Sequence, residues 1–384
     1  MNIFHKIVIF IALVIVGVGI FQALEDTQSK KFDEISSIAA KYKLVGFENI
    51  SGQQSLLSKS FSKNLTASTL NIELNESYNE VIVKLKSTLN YPELYILKFA
   101  DDYPIQAIQK DLNKTALVEF AEKNEFIALE NIGSQASSIT SQDFSKIESN
   151  AANQIKVAII DSGIDVNHTE LKDLKIKLKT FRGGLSDEVG HGTHLAGIIL
   201  KEADNIELYS YKFTNGKVGK LGDLLKAIFA ASKDDINIVN FSLGLPVNTE
   251  SLRIAIEYLQ KQGTLVVAAA GNQNSDKEFY PAALPGVIGV AGLDDSGKKL
   301  TQSNYGAWID YSIDGQDWYS LAPESKYKYL TGTSQSAAVI TGKLANLMAN
   351  DSNLSQEDIY NYFLEQRLEV DDNFNNLLGV RVRP

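Results

Sequence analysis

A doubly wound α/β fold on a mainly parallel sheet is the architecture that this sequence predicts, and three observations predict it. Nearly continuous apolar segments recur at residues 156–160, 236–241, 264–270 and 287–291, the pattern of strands buried on both faces. Helical periodicity fills intervals between them, at 223–231 and 249–262, and alternation of strand with helix is the signature of a parallel sheet with helices on both sides. Short glycine-bounded motifs stand where such strands end and such helices begin, which is where α/β domains gather their chemistry. The chain has 384 residues, 44% of them apolar and 22% charged, enough for two or three domains with a full core.

Residues 7–21 are an unbroken apolar run preceded by Lys6. The run suits a signal-peptide core and falls short of the roughly 20 residues of a comfortable membrane span. Residues 1–24 are therefore expected to direct export, as a cleaved signal peptide or a retained N-terminal anchor. Residues 25–78 are polar and rich in Ser, Lys and Asn, with a short helix expected around 32–43. From 79 the pattern sharpens into a small α+β unit reaching 132. Strands are expected at 81–83, 94–99 and 117–120, and a helix at 104–112 with Pro104 in its first turn. A Ser- and Ala-rich stretch, 133–152, reads as an exposed linker and processing region. The main α/β domain then runs from 153 to 384.

The charge balance, 37 basic against 47 acidic residues and a net charge of −10, argues against a general nucleic-acid binder. The absence of cysteine excludes disulfides, thiol nucleophiles and cysteine-ligated metals. Export without cysteine suits a bacterial cell envelope, where triplets such as Asn64-Leu65-Thr66 are chance matches to a glycosylation signal. Histidine chemistry is confined to His5, His168, His191 and His194.

Three motifs carry the chemistry. Ile160-Asp161-Ser162-Gly163 brings an acid off a buried strand into a glycine turn. Gly190-His191-Gly192-Thr193-His194 sets a histidine at a helix start. Gly332-Thr333-Ser334-Gln335-Ser336 does the same for a serine. Each alone is also what a turn, a loop or a helix cap carries; the weight lies in all three occurring in one domain, in the order Asp, His, Ser.

In that order the chain resembles the subtilisin-like serine proteases, with thermitase-like spacing, over about residues 155–384. Further matching segments are Asn167-His168-Thr169-Glu170-Leu171, Asn240-Phe241-Ser242-Leu243-Gly244, Ala268-Ala269-Ala270-Gly271-Asn272, Tyr280-Pro281-Ala282, Ser303-Asn304-Tyr305-Gly306 and Trp308-Ile309-Asp310. The resemblance implies that Ser334 attacks the peptide carbonyl, that His191 relays its proton and that Asp161 fixes the imidazole tautomer. It implies Asn272 as oxyanion donor beside the Ser334 N–H. Ser242-Leu243-Gly244 and Ala269-Ala270-Gly271 become the two walls of the cleft, with backbone groups open to an extended substrate. Both walls are uncharged, so an uncharged residue is expected before the scissile bond, and a small one if Phe279 enters the floor. His194 reads as a structural helix residue rather than a second base.

The chain departs from that family at Gln335, Ala338, Phe279 and the short connection between Leu200 and Tyr211, where many relatives carry a calcium loop. No metal or other cofactor is expected, since Glu170 alone does not make a calcium cage. Upstream, Leu94-Tyr95-Ile96-Leu97-Lys98-Phe99 and Leu117-Val118-Glu119-Phe120 resemble the second half of a subtilase propeptide, its start expected between 42 and 78. The resemblance implies an exported serine endopeptidase made as a self-processing precursor and inhibited by its own propeptide. Its partners would be protein or peptide substrates, with no nucleic acid and no membrane contact beyond an N-terminal anchor. Two alternatives stand beside this: a dedicated maturation protease for one precursor peptide, and a silent subtilase-fold binding module.

Overall fold

The computed structural model describes residues 33–52, 78–86, 92–129, 154–351, 354–369, 373–374 and 376–383. The apolar run at 7–21 and the linker at 133–152 lie outside the described residues.

Helix α1 covers residues 33–41, close to where the sequence predicts it. Strand β1 (Leu44–Asn49) follows, then β2 (Tyr78–Leu85), β3 (Leu94–Ala100), α2 (Ile105–Leu112) and β4 (Val118–Lys123). The four strands form an antiparallel sheet in the order β1-β3-β2-β4. One face is apolar by the two-residue alternation of a strand. Val81, Val83 and Leu85 of β2, and Tyr95, Leu97 and Phe99 of β3, bury there with Ile35 and Ala39 of α1 and Ile108 and Leu112 of α2. Tyr42 closes the layer: its hydroxyl donates to Asp111 Oδ2 at 2.7 Å, tying the end of α1 to the end of α2.

This unit ends at Asn124 and takes in α1 and β1. It therefore starts well before the boundary at 79 expected from the sequence. The upstream half was hard to read because β1 is half-buried, with Gly46 at a register irregularity, and gives no clean alternation. Pro104 is the N-cap of α2 rather than part of its first turn.

The second unit begins at Glu125. Its elements are β5 (Phe126–Leu129), β6 (Ile155–Asp161), β7 (Lys177–Thr180), α3 (His191–Glu202), β8 (Ile206–Lys212), β9 (Val218–Lys220), α4 (Leu221–Ala231), β10 (Ile238–Phe241), β11 (Leu243–Gly244) and α5 (Glu250–Lys261). After them come β12 (Leu265–Ala269), β13 (Ile288–Leu293), β14 (Tyr311–Asp314), β15 (Trp318–Ala322), β16 (Lys326–Leu330), α6 (Thr333–Asn350), α7 (Gln356–Glu365) and β17 (Val380–Arg381).

Eight strands make one sheet in the order β17-β14-β13-β12-β10-β6-β8-β7, and every pairing in it is parallel. The apolar runs read from the sequence are its central strands. Their alternate residues serve two cores. Val157, Ile159, Ile238, Val267 and Val290 meet Leu195, Ile198 and Ile199 of α3 and Ala337, Ile340 and Leu344 of α6. Ala158, Ile160, Val239 and Val266 are buried on the opposite face, where α4 and α5 pack. Helices on both faces make the sheet doubly wound, as expected. No described helix is long and apolar enough to cross a membrane.

Candidate active site

The Asp, His and Ser motifs meet at the carboxyl ends of the central strands. Asp161 is the last residue of β6, and His191 is the first of α3. Two glycines allow this meeting. Gly190 caps α3 with φ +76°, the left-handed region where a side chain is strained. A β-carbon on Gly192 would overlap the Gly163 carbonyl oxygen, so only glycine lets the helix start press onto the turn after Asp161.

His191 Nδ1 stands 2.9 Å from Asp161 Oδ2 and 3.0 Å from Oδ1, and each residue is 1% exposed. A carboxylate at Nδ1 makes that nitrogen the donor and leaves Nε2 as the base. The Ser162 N–H donates to Asp161 Oδ1 at 2.7 Å and helps to fix the carboxylate plane.

Ser334 is the second residue of α6. Its Oγ donates to the Ser242 carbonyl at 3.5 Å, and among the described residues it makes no hydrogen bond to His191. The acid–base half of the trio is hydrogen-bonded; the serine hydroxyl is turned to Ser242. Ser242 Oγ donates back to the Ser334 carbonyl at 3.1 Å, so β11 and the start of α6 are clamped. Asn272 lies alongside, its Oδ1 accepting the Thr333 N–H at 3.0 Å. That bond orients the amide so that its Nδ2 stands 3.1 Å from where a β-carbon of Gly332 would be; a side chain there would fill the space beside the amide.

The Ala269-Ala270-Gly271 segment is held by Asn304, which had no role assigned from sequence. Asn304 Nδ2 donates to the Ala270 carbonyl at 2.8 Å, its N–H donates to the Gly271 carbonyl at 2.9 Å, and its Oδ1 accepts the N–H groups of Gln273 and Ser275. The Ala270 N–H is spent on Val290 and the Gly271 N–H on Thr333 Oγ1. The N–H groups of Ala270 and Gly271 are thus committed within the domain and not open to an extended partner, which was expected to find them free. The strand that does pair with an extended chain beside Ser242-Leu243-Gly244 is β9.

The occupant of that slot is β5. It lies antiparallel between β11 and β9, with Leu129 opposite Leu243, Ala128 opposite Gly244, and Ile127 opposite Gly219. The Leu129 N–H donates to the Lys217 carbonyl at 2.8 Å. Ile127 and Leu129 point inward and are buried, while Phe126 and Ala128 face out. Sequence reading missed β5 and β9: four and three residues are too short for a periodic signal.

Phe279 is buried at 6% exposure, with Cδ1 3.0 Å from a β-carbon built on Gly271. Its ring thus stands between the wall glycines 244 and 271. His194 Nε2 donates to the carbonyls of Trp318 and Lys328, each at 3.1 Å, and burial pulls its pKa down to about 3. It is a neutral structural residue of α3. His168 is likewise occupied, between the Lys326 carbonyl and the Glu170 N–H.

The chain is similar to known proteins over this second unit. The model of the subtilase family matches residues 152–380. A thermophilic serine proteinase from Bacillus sp. (strain AK1) is 31% identical over 271 residues, spanning 64% of this chain and 67% of the relative. Subtilisin DY from Bacillus licheniformis is 31% identical over 237 residues, covering 57% of this chain and 86% of that one. Among solved structures, that of a lanthipeptide protease superposes with a TM-score of 0.53 at 22% identity, covering 60% of this chain and 85% of that one, a likeness of fold. A family match over more than half of the chain, together with relatives at this identity, assigns it: the chain belongs to the subtilase family and is a serine-type endopeptidase.

Proposed function

We propose that this subtilase hydrolyses peptide bonds through Asp161, His191 and Ser334, and that it is exported and made as a precursor that cuts itself. Rotation about the Ser334 Cα–Cβ bond carries Oγ from the Ser242 carbonyl to His191 Nε2. Oγ then adds to the substrate carbonyl carbon while its proton passes to Nε2, and the imidazolium is held by Asp161. The oxyanion takes hydrogen bonds from the Asn272 amide and the Ser334 N–H at the start of α6. The proton on Nε2 goes to the leaving nitrogen as the C–N bond breaks. Water, deprotonated by the same Nε2, hydrolyses the acyl-enzyme.

The observation that carries the precursor reading is β5. A four-residue strand of the chain itself lies antiparallel to Leu243–Gly244, running towards Ser242 and thus towards Ser334. That is the pose of an extended peptide substrate added to a sheet edge. Leu129, paired with Leu243, is the last described residue of the strand, and the bond after the next residue in the sequence, Glu130, is the proposed first substrate. This lies just upstream of the window 133–150 expected from sequence, and Glu130 differs from the uncharged residue expected there for substrates in general. The narrow pocket around Phe279 favours a protease of restricted specificity, closer to a dedicated maturation enzyme than to a general degradative one. Export rests on the apolar run 7–21 alone.

A fluorophosphonate probe tests the triad. Wild type should label at Ser334, and Ser334→Ala should not. Asp161→Asn should lower kcat by about 10⁴ and His191→Ala by about 10⁶, losses of the size measured for serine-protease triads, subtilisin itself included. Asn272→Ala should lower it by about 10²–10³, the loss measured for such a donor in subtilisin itself. A folded Asp161→Asn or His191→Ala variant retaining a tenth of wild-type turnover would remove that residue from the mechanism.

A further inference from the structure

Asp187 is the most heavily bonded carboxylate around the triad, yet nothing in the proton relay uses it. It lies in the loop before α3 and is 4% exposed. Its Oδ1 accepts from Ser162 Oγ at 2.8 Å, from the Val189 N–H at 3.1 Å and from the Gly190 N–H at 2.7 Å. Its Oδ2 accepts from the Thr193 N–H at 3.0 Å and from Thr193 Oγ1 at 2.6 Å. Ser162 Oγ in turn accepts the Gly192 N–H at 3.1 Å. Ser162 adjoins Asp161, while Gly190 and Gly192 flank His191. One buried carboxylate therefore fastens the end of β6, which carries the acid, to the first turn of α3, which carries the base.

A helix start needs only one short polar cap, Ser, Thr, Asn or a solvated Asp, to satisfy one of its N–H groups. Burying a charge instead costs free energy unless several donors compensate it, and here five do. A second charge stands behind it. Lys328 of β16 reaches towards Gly190, its Nζ 3.2 Å from where a β-carbon there would be. Burial pulls Lys328 below the usual lysine range, while Asp187 and Asp161 oppose that pull. The other charged or titratable groups around this loop are His194 on α3 and Glu188, which is paired with Lys212 of β8.

We propose that Asp187 is a positioning residue of the protease, holding His191 against Asp161 and acting through that pair rather than on substrate. This rests on the reading of Asp161, His191 and Ser334 as the triad. Reacting groups tolerate little displacement: about 1 Å can cost about 10²-fold in rate. In Asp187→Asn, either orientation of the amide sets an NH₂ against N–H or O–H donors, so the clamp opens on one side.

The test measures kcat per active site, titrated with a fluorophosphonate, together with KM and the strongly deshielded NMR proton of His191 Nδ1–H. Asp187→Asn should lower kcat at least about tenfold with KM changed less than about threefold, and should shift or broaden the Nδ1–H resonance. Ser162→Ala, which removes one strut and spares the charge, should lower kcat several-fold. The double variant should be no slower than Asp187→Asn alone, since both act on one network. Wild-type kcat per titrated site with an unchanged resonance overturns the proposal, even where the thermal midpoint falls, and so does additivity in the double variant. If Asp187→Asn does not fold, Ser162→Ala decides by the same readings. Failure of the triad reading is separate: it is a wild type that does not label at Ser334, or an active His191→Ala.

Discussion

Phe279 stands so close to Gly244 that a β-carbon on the glycine would overlap the aromatic Cε1. The same ring lies beside Gly271, so in the proposed cleft it would take up the depth into which a substrate side chain would otherwise descend. In substrates added in trans, short residues before the scissile bond should be preferred over Phe, Tyr and Leu; Glu130 is the exception, presented in cis by the paired strand β5. Phe279→Gly should raise kcat/KM for peptides with an aromatic residue there at least about tenfold relative to short ones, since each methylene of pocket depth is worth about 1–3 kcal/mol. A peptide-library profile indifferent to that substitution would show that the ring does not define the pocket.

The calcium loop carried by many relatives has little room here. Only Ala203, Asp204 and Asn205 separate α3 from β8. Glu170, the remaining acidic residue of interest, accepts the Tyr327 hydroxyl at 2.8 Å. A ligand stabilises only the state that binds it, so chelator should leave both activity and the thermal midpoint close to their untreated values. A midpoint lowered by about 10 °C on chelation would reveal a bound cation of real weight.

How much of this was legible in the sequence follows physical lines. The strands Ile155–Asp161, Ile238–Phe241 and Leu265–Ala269 are buried on both faces, and such burial writes itself as an apolar run. The motifs of Asp161, His191 and Ser334 were readable because glycine-bounded turns place them at strand and helix ends, and Asn272 only through the family resemblance. Asp187 was not, since its weight comes from donors on Ser162, Gly190 and Thr193 that only folding assembles. Asn304 was matched as part of a motif, but its grip on Ala270 and Gly271 spans more than thirty residues of chain. Strand β5 escaped because its order comes from pairing with β11 and β9 rather than from its own four residues.

His194 makes the fold acid-sensitive. Its pKa is pulled down to about 3 by burial, against about 6.5 in an unfolded chain. Above about pH 6.5 both states hold the ring neutral and its contribution is complete; as pH falls from there towards 3, the unfolded state alone takes the proton and stability is lost. In His194→Gln the amide still offers a donor to the Trp318 and Lys328 carbonyls but does not titrate. The variant should show a flatter fall of thermal midpoint between about pH 6.5 and 4 than wild type. Parallel slopes for the two proteins would mean that other groups carry the acid sensitivity.

The proposed self-processing would join the fold to the chemistry. Substrate-like pairing of β5 fixes both direction and register: Ala128 opposite Gly244, then Leu129 opposite Leu243, with the strand running towards Ser242, whose Oγ bonds the Ser334 carbonyl. A peptide in this register offers its following bond to Ser334, so cleavage after Glu130 is expected. It would release a catalytic chain of the remaining 254 residues. The inward side chains hold the register, because shifting a strand by one residue would exchange buried Ile127 and Leu129 for exposed Phe126 and Ala128. Ile127→Asp should therefore slow processing, as a carboxylate enters an apolar site. Mass spectrometry of wild type and Ser334→Ala after expression decides the matter. A cut after residue 130 in wild type and an intact chain in Ser334→Ala is the expected pair. The same cut in both would assign processing to another protease, an uncut wild type would make β5 a permanent strand of the domain, and a cut within 133–150 would show that the chain slides before it is cleaved.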